Sequence, residues 1–135
     1  MHFKEFVLKT QATNLRDSVM QFDSRLTQLQ YAIPYRVTSR YINKDQKALD
    51  WGCGNGHFSY FLTSQGIQTI GYSFDEKPTF LNNQPLFTFI KGFKNNPIIL
   101  PFDDESFDFV FSVGVLEHVY ETGGNESQRD RKSVV

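Results

Sequence analysis

A chain of 135 residues with a formal net charge of -1 has room for one domain, and 39% hydrophobic and 16% aromatic residues are enough to give it a core. The 21% of charged residues argues against disorder, and the near-neutral balance lacks the basic footprint of a nucleic-acid binder, so no nucleic-acid partner is expected. Cys53 is the one cysteine, which excludes an internal disulfide, and with no CxxC or Cys/His cluster no metal is expected.

The first ten residues carry Lys4, Glu5 and Lys9 among apolar ones and contain no signal-peptide core. No stretch reaches the length of a membrane span, so a cytoplasmic setting without a membrane partner is expected. Leu15, Val19, Phe22, Leu26 and Leu29 recur every three or four residues and predict an amphipathic helix over 11–30, with Thr13 or Asn14 as its cap. Pro34 is expected to break the chain before a short helix over 35–41. Residues 1–43 thus read as an N-terminal helical extension, with Tyr31, Tyr35 and Arg36 on a lid over the acceptor.

An α/β pattern comes next. Residues 47–51 read as a buried strand, 52–56 as a glycine-rich turn, and 57–64 as a helix ending near Gly66. Further strands are predicted over 67–72, 87–92 and 107–113, with a short helical turn within 75–84 around Pro78 and a helix beginning over 116–120. Strands alternating with helices point to a Rossmann-like parallel sheet with helices on both faces.

The turn Asp50-Trp51-Gly52-Cys53-Gly54-Asn55-Gly56 carries the chemistry. Glycine lets a backbone take positive φ and approach a ligand, and the N–H groups at a helix start favour electronegative atoms. A dinucleotide site wants G-x-G-x-x-G, whereas here the glycines fall at 52, 54 and 56 and His57 comes directly after. Asp50 suits an acceptor facing the amino-acid end of S-adenosylmethionine (SAM), which has no pyrophosphate. A plain strand–helix turn is the alternative. Cys53 reads as a small residue fitting the turn, and His57 as a helix-start residue rather than a catalyst.

Residues 50–56 resemble the first motif of class I SAM-dependent methyltransferases. Residues 100–108, reading Leu-Pro-Phe-Asp-Asp-Glu-Ser-Phe-Asp, resemble the segment before that family's fourth strand, and 115–119 resemble the stretch just after that strand. The resemblance covers about residues 47–128, and three motifs in order are more specific than one. It implies that Gly52, Gly54 and Gly56 wrap the methionine part of SAM, with Asp50 and Cys53 beside them. It places Ser73 where the family has a ribose-binding acid, with Asp75 available to reach back. Tyr72 would pack on the adenine, and Asn96 would accept a bond from its amino group, with Phe93 or Pro97 lining that pocket. Val113 would lie under the sulfonium, Asp108 would be structural, and His118 is the candidate general base.

The expected function is methyl transfer from SAM to an oxygen or nitrogen of a small-molecule or glycan-precursor acceptor. The alternatives are a non-catalytic binding module, suggested by Ser73 and Asn96, and an NAD-binding oxidoreductase, disfavoured by the glycine spacing. No oligomeric state is implied. The core, 44–128, reads as incomplete, with about four of seven strands. Residues 129–135 read as a non-native tail, because residues 130–135 match the translation of a common sequencing-adapter string. A fourth strand left as an open apolar edge invites aggregation, so the chain alone is expected to be poorly stable and inactive. A cooperative thermal transition together with turnover of an added acceptor would contradict this.

Overall fold

In the computed structural model the described residues are 3–12, 19, 22–93, 95, 99–113 and 115. They form helices α1 (Phe3–Ala12), α2 (Arg25–Tyr41) and α3 (His57–Ser64), and strands β1 (Lys47–Trp51), β2 (Gln68–Ser73), β3 (Phe87–Lys91) and β4 (Phe109–Phe111). A 3-10 turn, Thr79–Leu81, lies between β2 and β3. The expected lead-in helix over 116–120 and the tail lie outside the described residues.

The sheet is parallel in every pairing, in the order β3-β2-β1-β4. Parallel neighbours need a crossover, which α3 supplies between β1 and β2. Alternation along β1 sends Ala48 to one face and Leu49 and Trp51 to the other. The first face packs on all three helices through Phe6, Phe22, Tyr35, Phe58 and Phe61. On the second face Leu49, Trp51 and Tyr72 are covered by Leu100, Phe102 and Phe107. Among the described residues that second cover is non-helical.

β1 and α3 have the bounds predicted for them, and β2 and β3 differ by a residue at their ends. β4 is two residues shorter than predicted at each end, and Asp108 clamps its start. Its carboxylate accepts from the Lys47 N–H at 2.8 Å, and its own N–H donates to the Lys47 carbonyl at 2.9 Å.

Phe6, Val7 and Thr10 form the buried stripe of α1, a helix the sequence reading did not propose. The helix predicted over 11–30 is split: Val19 and Phe22 are buried in the link, while Leu26 and Leu29 lie exposed on α2. The Ser24 hydroxyl caps α2 by accepting from the Thr27 N–H at 3.2 Å.

Pro34 does not end the second helix; α2 runs through it. Proline removes one helical donor, at a cost of about 3 kcal/mol in an isolated helix. Burial of Ala32, Tyr35 and Thr38 on the core face offsets that loss. The helices expected as a lid are therefore packed as core. Tyr35 is fully buried and Tyr31 half-buried, and of the three lid residues Arg36 alone is exposed.

Candidate functional site

β1 lies between β2, the next strand in the chain, and β4, which returns to its other side. That reversal of strand order is where open α/β sheets bind ligands, at the carboxyl ends of the strands. The glycine turn leaves β1 at that point. The Gly52 and Cys53 N–H groups both donate to the Tyr72 carbonyl, at 2.7 and 3.0 Å, which holds the turn against β2.

The three glycines have positive φ, +75°, +51° and +83°, but they face different surroundings. A Cβ on Gly52 would collide with the Val115 side chain, and one on Gly56 would lie 2.8 Å from both Leu81 and Pro78. These two glycines let protein segments close over the turn. At Gly54 an added Cβ would meet only the Gly52 carbonyl, at 3.9 Å. Its N–H has no hydrogen-bond partner among the described residues. Gly54 is thus the member of the motif open to a ligand.

Two side-chain bonds brace the turn. Asp50 is buried and accepts from the Ser59 hydroxyl at 2.7 Å, which fastens the end of β1 to the first turn of α3. Burial pushes its carboxyl up from an ordinary 3.8 to about 6, against the pull of the Ser59 hydrogen bonds. Asp50 was expected to face the cofactor directly, but in this arrangement it lies sealed beneath the turn. His57 bonds through Nδ1 with the Tyr35 hydroxyl at 2.6 Å, and burial pushes its pKa down to about 4. Its imidazole is therefore neutral and acts as a helix-start anchor. Burial pushes the Cys53 thiol far up, so it is an inert filler beside β2.

Ser73 and Asp75 come together at the end of β2. The Asp75 N–H donates to the Ser73 hydroxyl at 3.2 Å, and that hydroxyl lies 3.4 Å from the Asp75 carboxylate. Ser73 is buried and Asp75 exposed. Tyr72, expected against the adenine, is enclosed between Phe74 and Phe102, at ring distances of 6.0 and 6.3 Å. It therefore belongs to the core. Phe93 is exposed and Val113 half-buried. Asn96, Pro97 and His118 lie outside the described residues.

The sequence reading missed Ser59 as the partner of Asp50 and the Pro78–Leu81 contact with Gly56. It placed Val115 at the end of β4 but not over Gly52. Pro78 and Leu81, after β2 and at turn spacing, were the available signal.

The fold and this turn define a class I SAM-dependent methyltransferase domain. A family model described as "Methyltransferase domain" matches residues 49–129, and the chain belongs to that family. SAM is the cofactor that family and fold imply, and a ligand-facing Gly54 beneath a strand-order reversal fits it. A TehB-like SAM-dependent methyltransferase from Corynebacterium glutamicum shares the fold, with a TM-score of 0.50 and 23% identity over 71% of this chain and 50% of that one.

Similar curated proteins named tRNA U34 carboxymethyltransferase occur in Sulfurimonas denitrificans and Ruthia magnifica. The first is 30% identical over 95 residues, covering 64% of this chain and 31% of the relative. The second is 32% identical over 90 residues, covering 56% of this chain and 25% of the relative. The chain thus spans less than a third of the length of these relatives. Their names overturn the expectation of a small-molecule acceptor and no nucleic acid. Net charge averages over the whole chain and does not register a local RNA-binding surface. No described helix is long and apolar enough to cross a membrane.

The glycines predict separable effects. Gly52→Ala and Gly56→Ala should each destabilise by about 1–3 kcal/mol through overpacking, added to left-handed strain of about 1–2 kcal/mol. Gly54→Ala should incur the strain alone yet weaken SAM binding at least ~10-fold, about 1.4 kcal/mol. Urea melts and calorimetric titration read the two effects, and wild-type affinity in Gly54→Ala would remove Gly54 from the ligand surface.

Asp50 and His57 predict opposed pH dependences. With a raised native pKa, Asp50 contributes stability that is lost as pH rises from 3.8 to about 6. With a lowered native pKa, His57 contributes stability that is lost as pH falls from 6.5 to about 4. Each is worth about 3 kcal/mol, so they nearly cancel in the wild type. Urea melts across this range should show stability climbing with pH in Asp50→Asn and falling with pH in His57→Asn. Parallel profiles in all three proteins would contradict the buried placement.

Proposed function

We propose that this chain is the cofactor-binding part of a SAM-dependent transferase that acts in the cytoplasm on tRNA. The observation that carries the cofactor reading is the open Gly54 at the strand-order reversal, within the family-matched span. The acceptor reading is supported by the shared tRNA name of the curated relatives.

When bound, SAM supplies an activated alkyl group on a sulfonium, and the chain's own residues position and shield it. Gly54 admits the cofactor's amino-acid end to the backbone and offers its N–H. Ser73 and Asp75 together present acceptors for the ribose hydroxyls, in place of the single carboxylate of the family pattern. Asn96 is proposed at the adenine amino group. Val115, packed over Gly52, gives an apolar wall that keeps water from the reacting carbon, and Val113 is proposed under the sulfonium. His118 is the proposed base for an acceptor that must lose a proton.

Calorimetric titration of SAM, with NADH as a control, should give saturable binding for SAM alone, abolished in Gly54→Val. A gel shift of total tRNA by the SAM-loaded chain then tests the acceptor, a readout that needs no turnover. SAM binding without a tRNA shift would sink the acceptor reading and keep the cofactor. A folded chain that ignores SAM would leave a binding module.

A further inference from the structure

Helix α2 has two apolar faces. One carries Ala32, Tyr35 and Thr38 into the core. On the opposite side stand Leu26, Leu29, Ile33, Val37 and Tyr41, exposed by 78, 62, 70, 47 and 66%. Their spacings of three and four residues set them in one ridge, about 23 Å long at the helical rise. A surface helix ordinarily turns polar residues outward on this side. The ridge presents roughly 500 Å² of apolar side chain, toward the upper end of what a monomer leaves open.

The ridge is also close to palindromic. Ile33 stands at its centre, Leu29 and Val37 lie four residues to either side, and Leu26 and Tyr41 close the ends. A second α2 laid antiparallel about a twofold axis at Ile33 brings the two Ile33 side chains together. The same axis sets Leu29 on Val37 and Leu26 on Tyr41. Covering both ridges buries about 1,000 Å², the lower bound of a specific interface. α2 carries Arg25, Arg36 and Arg40 and no acid. In this pairing Arg25 lies near Arg40 of the second copy, so charge opposes the contact and salt relieves it.

We propose that this ridge is a self-association surface, through which two copies of the chain pair α2 against α2 about Ile33. Sedimentation of the full chain should show a concentration-dependent dimer that tightens as salt is raised. Ile33→Arg should be monomeric at every concentration while keeping its far-UV signal, since Ile33 touches solvent and not the core. Ile33→Cys should form a disulfide-linked dimer with diamide. Leu8→Cys, exposed on α1 outside the ridge, should not, and the native Cys53 is buried and does not compete. A monomer up to the solubility limit, or a dimer indifferent to Ile33→Arg, would overturn the proposal. Association that weakens with salt and requires added RNA would assign the ridge and its arginine rim to an anionic partner instead.

Discussion

The structure depends on one buried hydrogen bond, from the Ser59 hydroxyl to the Asp50 carboxylate. It joins the end of the central strand to the first turn of the next helix and encloses the glycine turn between them. A carboxylate without a cationic partner is an expensive tie, and burial accordingly raises the pKa of Asp50. A neutral side chain would fasten α3 at less cost. What the carboxylate adds is a negative charge held beneath a turn whose opening faces solvent. A cationic group seated above Gly54 would recover part of the desolvation penalty, which favours a sulfonium or ammonium ligand over an anionic one.

The second tie, between Tyr35 and His57, has another consequence. It connects α2 to the same first turn of α3, so the N-terminal helices are fixed to the turn from the side. Phe6, Phe22 and Phe61 fill the space around Tyr35, with ring centroids 5.7, 5.7 and 4.3 Å from its own. Such contacts add to simple burial and hold α2 helical across Pro34. The two braces respond oppositely to acid, so neither alone sets the stability of the turn.

How much of the molecule was legible in its sequence depends on the range of each interaction. β1, the glycine turn and α3 were read with their bounds because their signals are local: a short apolar run, three glycines and a helical repeat. The N-terminus was misread because apolar periodicity reports that a face exists and not what covers it. Leu26 and Leu29 kept the rhythm of Val19 and Phe22, yet the chain turns at Ser24 and sends them outward. The Asp50–Ser59 and Tyr35–His57 bonds join residues 9 and 22 apart, and no spacing rule pairs them. Tyr35 was legible as an aromatic residue but not as the centre of a core.

The motif's glycines show why a consensus read as one unit divides once neighbours are known. Gly52 and Gly56 are required by Val115 from beyond β4 and by Pro78 and Leu81 from beyond β2. They serve packing between elements far apart in sequence. Gly54 alone meets nothing but the backbone of its own turn. A substitution at the outer two positions acts on folding, and one at the middle acts on whatever occupies the opening. The floor beneath that opening is rigid, because Asp50, His57 and the doubly bonded Tyr72 carbonyl fix it from three elements. Rigidity below and free space above are what a backbone needs to select a ligand by shape without losing order when the ligand leaves.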